Sequence, residues 1–547
     1  MRLSMLYFAL ATSLSVLASI LPSSKDRVVN LGYARYLGKQ TYPNTNAFLG
    51  IPYAEPPVGR RRFRAPAPLN THRVSLETRG NVVDATNNPA PCIPGQHRLD
   101  DAGNRVGDED CLKVNIWAPV GAKKGDNLPV LFYIHGGGYI DGTPAHWPFD
   151  EWVDRNPNVV IVSVSYRLAV FGFLATPTFD DPLYGDLNAG FKDQIEALNW
   201  VKKFINNFGG DPNQITINGQ SAGGNSVMLH LVSHQPNKHF NRAIAQSTWR
   251  APMAFPQQME PLFDYIVTHV GCRRSTILAT MGCLRSVDAF RLLAAYHSVA
   301  TNHTGSHPIN TQLAPVLDGQ LFTEYPTESF LAGRFTKVPL IVGATTNDSV
   351  GPYTSHSSLR GNWPRLTDQD IEDIFALYPA EDFQSEEHRI RRVVGDSQFR
   401  CSRVLMGSAS SIQPKAWTYR YDQTEPNSPY NSGPNYVGHS SENYILFKSA
   451  TTNPRGPVKF TPVETAFSEE LVSYWLSFVR TGDPNTQKLG HSPTWPAYTT
   501  AGRERMVLRQ NPKNETTRSG IFVETEPQKE REVCEYIYTN KYVNQQC

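Results

Sequence analysis

Neither sign of charge dominates this chain: Lys plus Arg number 52 and Asp plus Glu 50, a net charge of +2. That leaves no basic excess to recruit nucleic acid or an anionic membrane surface. Charged residues are 19% of the chain against 40% hydrophobic, too few for intrinsic disorder and enough apolar material for a large core. No two of the seven cysteines have C-x-x-C spacing, which disfavours a metal site. No internal repeat, low-complexity tract or long Pro/Ser-rich linker divides the 547 residues, so one continuous fold is expected. After residue 24 no run approaches 18 consecutive apolar residues, and no spanning helix is expected there.

The N-terminus carries what the rest lacks. Arg2 precedes an uncharged stretch from Leu3 to Ser24, with small Ala18 two places after Val16. This is the pattern of a secretory signal peptide, expected to span residues 1–18 and to leave a mature domain over 19–547. A membrane anchor is the competing reading, but Thr12, Ser13, Ser15, Ser19 and Pro22 dilute the stretch. Secretion predicts a disulfide-permitting compartment. Sequons at Asn302, Asn347 and Asn514 fit that route, with Asn302 and Asn514 the expected glycosylation sites.

Short β-branched runs alternate with helical stretches: Leu128–Ile134, Val159–Tyr166, a helix over Ala189–Phe208, Ile215–Asn218, then a helix from Ala222. Ala243–Gln246 and Val338–Val342 read as further strands. Apolar runs without polar alternation imply strands covered on both faces, hence a mostly parallel sheet flanked by helices. The class is α/β. In such a sheet functional side chains gather on loops at the carboxyl ends of strands.

Two motifs fall at those ends. Gly219-Gln220-Ser221-Ala222-Gly223 is a G-x-S-x-G turn between a strand and an apolar helix, where glycines permit the tight backbone that lifts a serine hydroxyl clear of the sheet. The pentapeptide alone occurs by chance about 0.2 times in a chain of this length, so its context matters. The following helix aims its amides and positive dipole end at Ser221, favouring the negative charge of acyl transfer. His135-Gly136-Gly137-Gly138-Tyr139 follows the strand Leu128–Ile134. Its glycines let main-chain amides approach a substrate carbonyl, although an ordinary glycine turn is the bland reading. The expected oxyanion donors are the amides of Gly137, Gly138 and Ala222, each worth about 3 kcal/mol in the transition state.

Further segments extend these motifs: Phe48–Phe63, Glu109–Trp117, Tyr166–Leu174, Gly185–Gly224 and Pro315–Gly319. With them the chain resembles the type-B carboxylesterases, the α/β-hydrolase family that includes cholinesterases and large fungal lipases. The resemblance implies an α/β-hydrolase fold, a serine esterase without cofactor, and the same three oxyanion amides. It also implies His439 as general base, in Gly438-His439-Ser440-Ser441-Glu442; His135, abutting the glycines, is read as a loop brace. The acid departs from pattern. Where the family usually has Glu, Gly343-Ala344-Thr345-Thr346-Asn347-Asp348 offers Asp348, one methylene shorter. A plain turn aspartate is the competing reading, and catalysis by Asp348 sets Asn347 too near the site for glycosylation.

By the same resemblance Cys92 pairs with Cys111, Cys272 with Cys283 and Cys401 with Cys534, leaving Cys547. The loop between Cys92 and Cys111 corresponds to a lid; it is short and polar, with only Ile93, Leu99 and Val106 strongly apolar, and lacks tryptophan. That favours soluble esters over lipid and disfavours a cation site. Arg62 and Glu109 are expected to form an ion pair, and Ser247 to lie buried near the triad. Trp249 lines either the acyl pocket or the core. The resulting expectation is a secreted carboxylic ester hydrolase acting on small or medium soluble esters. The alternatives are an interfacial lipase or sterol esterase, an acyltransferase with the same triad, and a non-catalytic binding member of the fold.

Overall fold

The strand Leu128–Ile134 is apolar on both faces because both are covered. Val130, Phe132 and Ile134 enter one buried cluster while Leu131 and Tyr133 enter the other, so the sheet lies between two cores. This computed structural model describes residues 27–540 apart from 97–104, 303–308, 352, 354, 362, 364, 412–414, 425–435 and 449–458. The expected signal peptide, Leu99 and Cys547 lie outside the described residues.

Among the described residues the main sheet has eleven strands. Seven neighbours run parallel, in the order Glu504–Leu508, Ala416–Tyr421, Leu340–Thr345, Arg242–Gln246, Gly210–Gln220, Leu128–Ile134 and Val160–Val164. Antiparallel strands close the edges: Phe522–Thr525 on one side, and Lys113–Pro119, Thr45–Pro52 and Lys39–Tyr42 on the other. A separate three-stranded sheet joins Val28–Asn30, Arg35–Leu37 and Val82–Asp84. Helices Ala189–Phe204 and Ala222–Val232 pack into one core, and Asp150–Arg155 and Pro462–Thr481 into the other.

Differences from the sequence reading have local causes. The expected strand at Val338 starts at Leu340, after Pro339, which has no amide hydrogen for a ladder. The helix from Ala189 ends at Phe204, and a tight turn over Ile205–Phe208 stops on Gly209 with φ 87°. The strand read as Ile215–Asn218 extends over Gly210–Gln220 and delivers Ser221 directly from its end.

This order sets the site. In the ladder Gln220 is level with Gln246, and Gln246 with Gly343. Ser221, Ser247 and the turn leading to Asp348 therefore leave the sheet side by side, with the glycine loop after Ile134 on the other flank of the elbow.

Candidate active site

Ser221 has φ 62° and ψ −122°, a strained conformation for a residue with a side chain. Neighbours hold it there: its amide donates to Gln246 O at 3.0 Å, and its carbonyl accepts from Trp249 N at 3.2 Å. The flanking glycines are sterically required. A Cβ on Gly219 would overlap the Gly223 carbonyl, and one on Gly223 would overlap the Ile134 carbonyl.

The Ser221 hydroxyl donates to His439 Nε2 at 2.8 Å. His439 Nδ1 donates to Asp348 Oδ1 at 2.6 Å, which sets the tautomer that leaves Nε2 free to accept. Asp348 is fully buried, and its Oδ2 accepts from the Thr345 amide at 3.1 Å. The shorter side chain thus reaches the imidazole without a gap. The two loops are laced together by Asn347, which donates its amide to Val437 O at 3.0 Å and accepts Val437 N on Oδ1 at 3.1 Å.

The glycine loop leans on the elbow: a Cβ on Gly136 would sit 2.6 Å from Gln220 O and 2.9 Å from Ser221 Cβ. Gly137 and Gly138 have φ of 109° and 62°, values suited to glycine. The Ala222 amide lies at the first turn of the helix that follows Ser221. His135 is buried, stacked on Tyr166 at 4.4 Å, and its Nδ1 donates to Gly136 O at 2.8 Å. Burial pushes its pKa down to about 4, so it stays neutral and braces the loop.

Two neighbours of the histidine escaped the sequence reading. Gln220, the variable position of the elbow motif, places its Nε2 3.3 Å from His439 Nε2 and 2.8 Å from Ser440 Oγ. Phe399, on a π-helical turn over Asp396–Arg400, lies 4.2 Å from the imidazole, ring centre to ring centre. The motif leaves the residue at position 220 unspecified, and no motif covers Phe399. Ser247 is buried, with φ 43°, and its hydroxyl donates to Glu442 Oε1 at 3.0 Å. Burial, with Asp348 nearby, raises the Glu442 carboxyl to about 7. Trp249 is partly buried against the core and lies 6.0 Å from the Tyr139 ring.

The remaining expected residues are placed as follows. Disulfides join Cys92 to Cys111, Cys272 to Cys283 and Cys401 to Cys534. Arg62 binds Glu109 through Nε at 2.7 Å and Nη2 at 2.5 Å, and its Nη1 donates to the carbonyls of Leu284 and Val287. Asn514 is exposed, and Asn302 ends the helix Ala289–Asn302. Within the lid Ile93 is buried, and Gly95 N donates to Ile140 O at the end of the glycine loop. Among the described residues no group of three His, Cys, Asp or Glu side chains could hold a metal ion, and no helix is long and apolar enough to cross a membrane.

A parallel sheet with a serine on a strand-to-helix elbow, bonded through histidine to an acid on a later strand end, defines the α/β-hydrolase fold. The chain belongs to the Carboxylesterase family, whose model matches residues 25–526, and is a serine ester hydrolase. It is 30% identical to carboxylesterase 1E of Mus musculus over 519 residues, covering 87% of this chain and 88% of that one. It is 29% identical to acetylcholinesterase of Bungarus fasciatus over 508 residues, covering 86% and 80%. The crystal structure of Aspergillus niger EstA superposes with a TM-score of 0.79 at 28% identity, covering 94% of this chain and 98% of that one.

Proposed function

We propose that this protein hydrolyses small or medium soluble carboxylic esters through a Ser221–His439–Asp348 triad and an acyl-enzyme intermediate, and that it is secreted. The observation that carries the reading is the unbroken pair of hydrogen bonds, 2.8 Å from Ser221 to His439 and 2.6 Å from His439 to Asp348. His439 takes the Ser221 proton as the hydroxyl oxygen attacks the ester carbonyl. Asp348 stabilises the imidazolium, and the amides of Gly137, Gly138 and Ala222 stabilise the oxyanion. The imidazolium then protonates the departing alcohol. Water, deprotonated by His439, attacks the acyl-enzyme and releases the acid. The polar composition of the lid between Cys92 and Cys111 supports a soluble substrate, and the three disulfides support an oxidising compartment.

Turnover of p-nitrophenyl acetate by Ser221→Ala tests the nucleophile: the variant is expected at background, and full activity would overturn the reading. Profiling the purified enzyme with p-nitrophenyl esters of increasing chain length tests the substrate class. A jump in rate above the solubility limit would favour an interfacial lipase instead.

A further inference from the structure

The helix Glu386–Gly395 runs on without a break through the π-helical turn Asp396–Arg400 into the helix Cys401–Ser410. Turns of this kind are rare and gather at functional sites. Gly395 abuts the Asp348 carbonyl, and about one turn further along the same side Phe399 lies against His439. One continuous helix thus touches both the acid and the base.

The π-turn is locked from the side of the elbow. Trp249 N donates to Ser221 O, and the next residue, Arg250, is fully buried. Arg250 Nη1 donates to Ser397 O at 2.9 Å and its backbone amide to Gln398 O at 2.6 Å. The Tyr353 hydroxyl donates to Gln398 Oε1 at 3.3 Å, and Ser402 Oγ to Thr248 O at 2.9 Å. Contacts therefore close a circuit from Ser221 through Trp249, Arg250 and the π-turn to Phe399, His439 and Ser221 again.

Phe399 is buried, and its ring centre stands 4.2 Å from that of the imidazole with 36° between the planes. An aromatic face at that distance attracts a cation, most strongly where water is excluded, and the His439 side chain is only 11% exposed. The charged groups around the imidazole among the described residues are acids: Asp348 on Nδ1, and Glu442, three residues along the chain and within electrostatic reach. The elbow faces it with Ser221 and the neutral Gln220.

We propose that Phe399 is a positioning residue for His439: its ring confines the imidazole to the line between Asp348 and Ser221, and its negative face stabilises the imidazolium formed as Ser221 attacks. The role rests on His439 serving as the base of Ser221. Imidazolium gains more from the ring than neutral imidazole does, so the contact strengthens toward the transition state.

The pH dependence of p-nitrophenyl acetate hydrolysis tests the role. In Phe399→Leu, kcat is expected to fall about three- to tenfold and the acid limb of kcat/KM to move down by about 0.5–1 pH unit, because the imidazolium loses its stabilisation while its surroundings stay apolar. A purely structural loosening would lower kcat and leave the limb in place. Phe399→Tyr, which keeps the ring, should restore both. Pentafluorophenylalanine in place of Phe399 keeps the shape without the negative face and should reproduce the Phe399→Leu profile, with melting temperatures compared throughout. The same differences are expected in a Glu442→Gln background, since that carboxyl is common to every variant. NMR titration of the His439 ring in the Ser221→Ala protein reads the contact without turnover, its midpoint falling by the same amount when Phe399→Leu is added. A limb and midpoint unmoved by both Phe399→Leu and the fluorinated ring, or moved upward, overturn the assignment and leave the esterase reading intact. An inactive parent in which the midpoint still falls overturns the esterase reading and retains the hold of the ring on the imidazolium.

Discussion

Gly395 and Asp348 are in such close contact that a Cβ on the glycine would overlap the Asp348 carbonyl oxygen. The helix Glu386–Gly395 is therefore a stop against which the acid loop rests. Gly395→Ala is expected to push Asp348 off its line to His439, where a displacement approaching 1 Å costs about a hundredfold in rate. Steady-state kinetics should show the loss in kcat with little change in KM. Wild-type kcat would mean that the loop is held by other contacts.

Asp348 already reaches His439 at 2.6 Å, so a longer acid has no gap to fill. Asp348→Glu is expected to lower kcat at least tenfold, although Glu is the usual residue of the family. Asp348→Asn, which favours the wrong imidazole tautomer, should cost on the order of 10⁴ in kcat, as the same change does in serine proteases. An Asp348→Glu enzyme as active as the parent would show that the loop adapts freely.

Glu442 ties stability to pH. Its folded pKa is about 7, above the ordinary 4.5, so between those values the folded state holds a proton that the unfolded chain releases. Stability from this group is therefore full below about pH 4.5 and lost as pH rises through 7, by roughly 3 kcal/mol at most. Glu442→Gln mimics the protonated form. Its melting temperature should match the parent at pH 5 and exceed it at pH 8, and an equal difference at both pH values would contradict the assignment.

Arg62 and Glu109 form a nearly buried, bidentate pair. Removing one partner leaves the other charge stranded, so Arg62→Gln is expected to cost about 3–5 kcal/mol in chemical denaturation. Replacing both, as Arg62→Met with Glu109→Leu, should restore much of that loss. A single substitution costing under about 1 kcal/mol would mark the pair as a surface-like contact.

Gly136 has no room for a side chain against Gln220 O and Ser221 Cβ. Gly136→Ala is expected to shift the glycine loop and to reduce kcat on the order of 10²–10³, the usual cost of one lost oxyanion donor. Titration of Ser221 with an organophosphate would separate this from misfolding, since a folded variant still reacts, only more slowly.

What was legible in the sequence was the centre of the sheet. Leu128–Ile134 is apolar throughout because it is covered on both faces, and the elbow and glycine loop advertise themselves through steric demands that glycine alone meets. The strand Ala416–Tyr421 stayed hidden because Thr418 and Arg420 break its apolar run, although Thr418 is buried. The edge strands alternate or are short, and their pairing depends on partners far along the chain. Gln220 and Phe399 touch the histidine only because the fold returns their segments to it, and no local pattern marks a contact made across about 40 to 220 residues.

The grip of Arg62 has a mechanical consequence. One guanidinium binds Glu109, beside Cys111, and also the carbonyls at the end of the helix Ile277–Ser286, which carries Cys283. Two disulfide loops far apart in the chain thus share a single latch. The disulfide at Cys111 and the helix carrying Cys283, more than 150 residues further along the chain, are thereby mechanically coupled through one side chain.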